Sequence, residues 1–111
     1  MRVIFMGSPD FAVQSLAALV EAGHEVVAVI TQKDKVRGRN KEICPTPVKA
    51  YGLSLGLPCT TPTDVKSGEF LDFLKELKAE IMVVAAYGKL LPKAVLEVCP
   101  LGAINVHGSL L

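Results

Sequence analysis

Val3-Ile4-Phe5-Met6-Gly7-Ser8-Pro9-Asp10 is the stretch on which the fold turns. Val3 to Met6 is a short apolar run rich in strand-forming residues. Gly7-Ser8-Pro9-Asp10 then supplies a turn, with Ser8 as a helix cap and Pro9 at the first helical position. Ala12, Leu16, Leu19 and Val20 follow at helical spacing, and Gly23 is placed to end the helix. Val26 to Ile30 reads as a second buried strand. The opening of the chain is therefore a strand, a helix and a strand.

Downstream, the alternation continues. Residues 31 to 45 are polar and basic and read as a loop, of a length that usually serves a function. Pro47 opens a helix through Val48, Ala50 and Tyr51 that ends between Gly52 and Gly56. Leu57 to Thr60 is a weak edge strand. Phe70, Leu71, Phe73, Leu74 and Leu77 form an amphipathic helix that starts near Thr63-Asp64 or Ser67. Ile81 to Ala86 is six apolar residues in a row, as in a central parallel strand buried on both faces. Leu90 to Val98 reads as a short helix around Pro92, and Ala103 to Val106 as a fifth strand. The pattern is that of an α/β protein with a Rossmann-like, doubly wound parallel sheet, whose ligands bind at the carboxyl ends of the strands near the topological switch point. A strand order of 3-2-1-4-5 would bring Gly7-Ser8, Tyr87-Gly88 and Asn105-Val106-His107 around one cleft.

Composition agrees with this and excludes other classes. The 111 residues are 50% hydrophobic and 21% charged, enough for one small domain with a core and too apolar for a disordered tail. Twelve basic side chains against 11 acidic ones leave a net charge of +1, short of the overall basic balance of a strongly polyanion-seeking protein. Aromatic residues are only 5%, with no Trp, which leaves the packing to aliphatic side chains on strands covered by helices. The apolar run at the N-terminus is too short for a signal peptide, and no stretch is long enough to span a membrane, which predicts a cytoplasmic protein. Cys44, Cys59 and Cys99 include no close pair, so reduced thiols are expected, with no zinc site and no disulfide framework.

Three segments are candidates for chemistry. In the first turn, Pro9 has no N–H to offer a pyrophosphate and Asp10 would repel one, so the layout does not predict a dinucleotide cofactor; Ser8-Pro9-Asp10 reads as a helix start. In Asn105-Val106-His107-Gly108-Ser109-Leu110-Leu111, Asn105 and His107 are two apart and point to the same side while the backbone stays extended. An amide that holds a carbonyl oxygen as it becomes an oxyanion, beside an imidazole that adds positive charge or relays protons, suits attack on a carbonyl carbon. A capping Asn beside a hydrogen-bonded His is the plainer alternative. The third segment, Lys33 to Lys41, holds five cations and one anion within a near-neutral chain. Such a loop can contact RNA phosphates or stand as a solvated charged surface, and it lacks aromatic residues for base stacking.

Taken together, several segments resemble the methionyl-tRNA formyltransferases. They are Ile4 to Phe11, Thr31-Gln32 with the basic loop, Cys44-Pro45-Thr46-Pro47-Val48-Lys49, Val83 to Lys93, and Ile104 to Leu111. The closing motif is that of the wider folate-dependent formyltransferases; the opening segment and Pro-Thr-Pro-Val-Lys narrow the resemblance to the enzymes acting on initiator tRNA. It implies transfer of a formyl group from 10-formyltetrahydrofolate, as co-substrate and without a metal, to the α-amine of methionyl-tRNA in translation initiation. By the same resemblance, Asn105 would hydrogen-bond the formyl oxygen and His107 would help stabilise the tetrahedral intermediate. Ser109, Leu110 and Leu111, with Gly88 and Leu90, would contact the folate. Arg39 would meet the tRNA acceptor end, flanked by Lys35, Arg37 and Lys41 as phosphate contacts.

The sequence also departs from the family pattern. It stops at Leu111, where the pattern continues with proline, so a downstream catalytic aspartate is missing and Asn40 stands where glycine is common. The expectation is the N-terminal part of a formyltransferase-type catalytic domain, truncated after the fifth strand. The rest of that domain and a C-terminal tRNA-binding domain would then be absent, the chain inactive alone, and the sheet edge open to self-association. The alternatives are another folate-dependent enzyme, such as a sugar-nucleotide formyltransferase or a formyltetrahydrofolate hydrolase, or a non-catalytic binding module.

Overall fold

In the computed structural model, residues 1–37 and 42–106 are described. Strands β1 (Arg2–Gly7), β2 (Glu25–Ile30), β5 (Cys59–Thr60), β6 (Ile81–Ala85) and β7 (Ala103–Asn105) form one parallel sheet in the order β5-β2-β1-β6-β7. Counting only these strands, this is the 3-2-1-4-5 order expected from the sequence. Helices α1 (Asp10–Glu21) and α2 (Pro47–Ser54) pack on one face of the sheet, and α3 (Gly68–Glu76) and α4 (Lys93–Leu96) on the other. The order reverses between β1 and β6, which makes their carboxyl ends the switch point. Among the described residues no helix is long and apolar enough to cross a membrane.

The two faces follow from alternation along β1. Val3 and Phe5 pack with Ala12 and Leu16 of α1 and Val48 of α2; Ile4 and Met6 pack with Phe70 and Leu74 of α3 and Val95 of α4. The four β1 side chains are essentially inaccessible to solvent, as expected for the middle strand of a two-sided sheet. The end of the sheet opposite the switch point is fastened by Arg2. Its guanidinium donates to the carbonyls of Leu77 (2.7 Å) and Lys78 (3.3 Å), just past the end of α3, and pairs with Glu25 at 3.2 Å. A cation suits the carbonyl end of a helix.

Several local expectations hold. Gly23 follows α1 with φ +86°, Gly56 follows α2 with φ +72°, and Ser67 caps α3 by accepting from the Phe70 N–H at 3.1 Å. Others need correction. Ser8 does not cap α1: the extended residue before the helix is Pro9, α1 begins at Asp10, and the Ser8 hydroxyl turns to the end of β2 instead. The helix expected over Leu90 to Val98 is only Lys93–Leu96: Pro92 itself is extended, with ψ 150°, and stands just before the helix, while a residue before proline disfavours the helical region. The segment read as a loop contains an antiparallel hairpin, β3 (Lys35–Arg37) with β4 (Glu42–Cys44), in which Val36 pairs with Ile43. Its outgoing and returning arms satisfy each other's backbone groups outside the main sheet.

β1 and β6 approach so closely that a Cβ on Gly7 would lie 2.6 Å from the Ala85 carbonyl oxygen and 3.2 Å from the Ala12 Cβ. Neither neighbour can yield without moving a central strand or α1. Gly7→Ala should therefore destabilise the fold by about 2–3 kcal/mol, read as a lower urea midpoint at unchanged m-value.

Tyr87 is 2% exposed, and its hydroxyl has no hydrogen-bond partner among the described residues. Burial raises its pKa above the ordinary 10.0, and burial likewise raises the Cys99 thiol above 9.0. Because the folded state keeps these protons longer than the unfolded chain, the stability they carry is full below pH 9 and is lost as pH rises through the folded values. Tyr87→Phe should stabilise the fold by about 1 kcal/mol near neutral pH and make the alkaline decline shallower, as thermal melts across the pH range would show.

Candidate functional site

The carboxyl ends of β1 and β6 lie side by side, with Gly7 in register with Ala85. Beyond them the chain turns sharply: Ala86 takes φ +57° and Gly88 φ +92°. A left-handed alanine costs about 1 kcal/mol or more, so this turn is held by its surroundings. One restraint is visible. The Gln32 side-chain amide, from the end of β2, donates to the Tyr87 carbonyl at 2.7 Å.

A polar seam runs across these ends. The Ser8 hydroxyl accepts from the Gln32 backbone N–H at 3.1 Å and lies 3.3 Å from the Thr31 hydroxyl. Thr31 in turn shares a hydrogen bond with Thr46, and both threonines are buried, at 0% and 3% exposure. The Thr46 hydroxyl also caps α2 by accepting from the Lys49 N–H at 3.1 Å, while the Val48 N–H donates to the Ser8 carbonyl. The seam thus links the ends of β1 and β2 to the start of α2 and leaves these buried hydroxyls paired.

Two hollows flank the switch point. The first, of about 480 Å³, is walled by Ser8, Gln32, Thr46, Tyr87 and Gly88. The second, of about 520 Å³, is mainly apolar, lined by Val84, Leu90, Leu91 and Leu96 together with Asn105. Asn105 pairs with Val84 in register and therefore shares its face of the sheet, the side covered by α3 and α4. Lys89 lines both hollows. Both volumes lie within the range of about 300–1,000 Å³ usual for small-molecule sites.

The expected site residues are distributed as follows. Asn105 and Leu90, the latter 91% exposed, meet in the apolar hollow. Gly88 lines the polar one, so the ends of β1 and β6 meet there while Asn105 opens into the neighbouring hollow, and Lys89 joins the two. Lys35 and Arg37 belong to β3. His107, Ser109, Leu110 and Leu111, and Arg39 and Lys41 of the basic segment, lie outside the described residues. Sequence reasoning placed Ser8 at a helix start and beside the expected cleft, and gave no site role to Thr31, Gln32, Thr46 or Lys89. The available signal was Thr31-Gln32 itself, a polar pair directly after a buried strand.

The formyl transferase family matches residues 1–111. Over the whole chain, the sequence is 52% identical to the methionyl-tRNA formyltransferases of Desulforamulus reducens and of Moorella thermoacetica, covering 35% and 36% of their lengths. The chain thus spans about a third of the curated relatives it matches. Among solved structures, phosphoribosylglycinamide formyltransferase from Bacillus halodurans superposes with a TM-score of 0.68 at 20% identity, over 95% of this chain and 55% of that one. A sugar N-formyltransferase from Shewanella sp FDAARGOS_354 gives a TM-score of 0.53 at 19% identity, over 95% and 38%. The family's match runs along all 111 residues, and the chain belongs to the formyl transferase family.

Proposed function

We propose that this chain is the N-terminal part of the catalytic domain of an enzyme that moves a formyl group from 10-formyltetrahydrofolate to the α-amine of methionyl-tRNA. The observation that carries the reading is the identity of about 50% along the whole chain to methionyl-tRNA formyltransferases, with Asn105 lining a hollow beside the switch point. In the reaction, the amine nitrogen attacks the formyl carbon, the bond from that carbon to the folate nitrogen breaks, and the amine's proton leaves to the folate nitrogen. The Asn105 amide donates to the formyl oxygen as negative charge gathers on it, and His107 supports the same tetrahedral species. The apolar walls at Leu90 and its neighbours, with Gly88 and Ser109-Leu110-Leu111, receive the folate. Arg39, Arg37, Lys35 and Lys41 contact the acceptor end of the tRNA.

The reading places the enzyme in the cytoplasm, in translation initiation, with no membrane partner. It assigns an aspartate and a tRNA-binding domain to the remaining two thirds of the relatives' length, so this chain alone lacks turnover. β7 is the edge strand beyond β6, and Ile104 is 50% exposed on it, which favours self-association of the isolated chain.

Asn105→Ala in the full-length protein should lower kcat about 100-fold with little change in folate affinity. The 111-residue chain alone should give no formyl-methionyl-tRNA under the same assay; turnover near that of the full-length enzyme would refute the division of the site. Arg39→Ala should raise KM for methionyl-tRNA and flatten its dependence on salt by about one phosphate contact, leaving KM for the folate unchanged.

A further inference from the structure

The basic hairpin leaves the core at Thr31 and returns at Thr46, and the two roots are fastened together at two levels. The inner fastener is the buried hydrogen bond between the Thr31 and Thr46 hydroxyls. The outer one is the ion pair of Asp34 with Lys49, at 2.8 Å. These side chains are 33% and 23% exposed, so the pair is partly shielded from solvent. Lys49 is itself anchored, because its backbone N–H is the one that the Thr46 hydroxyl caps. On the outgoing side, Gln32 is tied to Ser8 of the first turn and to the Tyr87 carbonyl beyond β6. The hairpin therefore rises from a fixed footing that is also the wall of the polar hollow.

Asp34 and Lys49 belong to neither core cluster. An ion pair of this exposure adds little to global stability. What it does is join the residue before β3 to the first turn of α2.

We propose that Asp34 and Lys49 are positioning residues for the acceptor substrate: their ion pair sets the angle of the basic hairpin over the hollow between Ser8, Gln32 and Tyr87. A polyanion held by the hairpin is thereby aimed at the switch point. The inference rests on the reading of the basic segment as an RNA contact. It adds a clasp outside the basic residues themselves, made of one acid and one lysine that meet each other.

The test uses the full-length protein carrying Asp34→Asn, Lys49→Met or the exchange Asp34→Lys with Lys49→Asp. Each single variant should raise KM for methionyl-tRNA about fivefold, with kcat, KM for the folate and Tm unchanged, and the exchange should recover most of the loss. Tryptic cleavage between residues 35 and 42, followed without any ligand, should be faster in the single variants and slow again in the exchange. Unchanged cleavage would overturn the clasp itself. Faster cleavage with an unchanged KM for methionyl-tRNA would overturn the RNA reading on which the proposal stands. A fall in Tm with kcat and both KM values altered together would reduce the pair to a stabilising contact and likewise overturn the proposal.

Discussion

Strands β1 and β6 lie together with only a hydrogen atom's worth of room at Gly7, and most of the molecule is arranged around that contact. A parallel pair buried on both faces can neither twist away nor expose its edges, so α1 and α2 must cover one side and α3 and α4 the other. The same contact fixes where the chain order reverses. The two strands end level, and the turns leaving them have to diverge, which opens the ground between them to a ligand.

The seam across those ends shows how a small protein with few aromatics builds a polar site without weakening its core. Ser8, Thr31 and Thr46 satisfy one another and the first amides of α2, so burying them leaves no bare donor. Gln32 then holds the strained turn at Ala86 in place. The basic hairpin is rooted in this seam. Its charge is thus tied mechanically to the sheet ends, although its strands make no ladder with the main sheet.

Much of this was legible in the sequence because the signals are local and strong. The apolar runs at Val3–Met6, Val26–Ile30 and Ile81–Ala86 gave the three central strands, and Gly23 and Ser67 gave helix boundaries. What escaped were choices settled by tertiary partners. Ser8 looks like a helix cap until the Gln32 amide and the Thr31 hydroxyl, more than twenty residues away, compete for its oxygen. The hairpin at Lys35–Cys44 is hidden by its charge density, since strand propensity there rests on Val36 and Ile43 alone. In the site, spacing singled out Asn105 as a candidate but could not separate the two hollows, because Lys89, which lines both, and the turn at Ala86 come together only in three dimensions.

The position of β1 in the sheet also bears on how the protein is made. Its cover arrives in stages from farther and farther along the chain: Val48 of α2, then Phe70 and Leu74 of α3, then the Leu77 carbonyl that the Arg2 guanidinium reaches across 75 residues. At a ribosomal pace of about 5–20 residues per second, this central strand waits roughly 4–15 s for its neighbour β6. During that interval Val3 to Met6 lacks its β6 edge, even once α1, β2, α2 and α3 have been made, and the nascent chain presents a sticky surface to whatever chaperone stands at the exit tunnel. Pairing of the two central strands is consequently timed by the arrival of Ile81–Ala85.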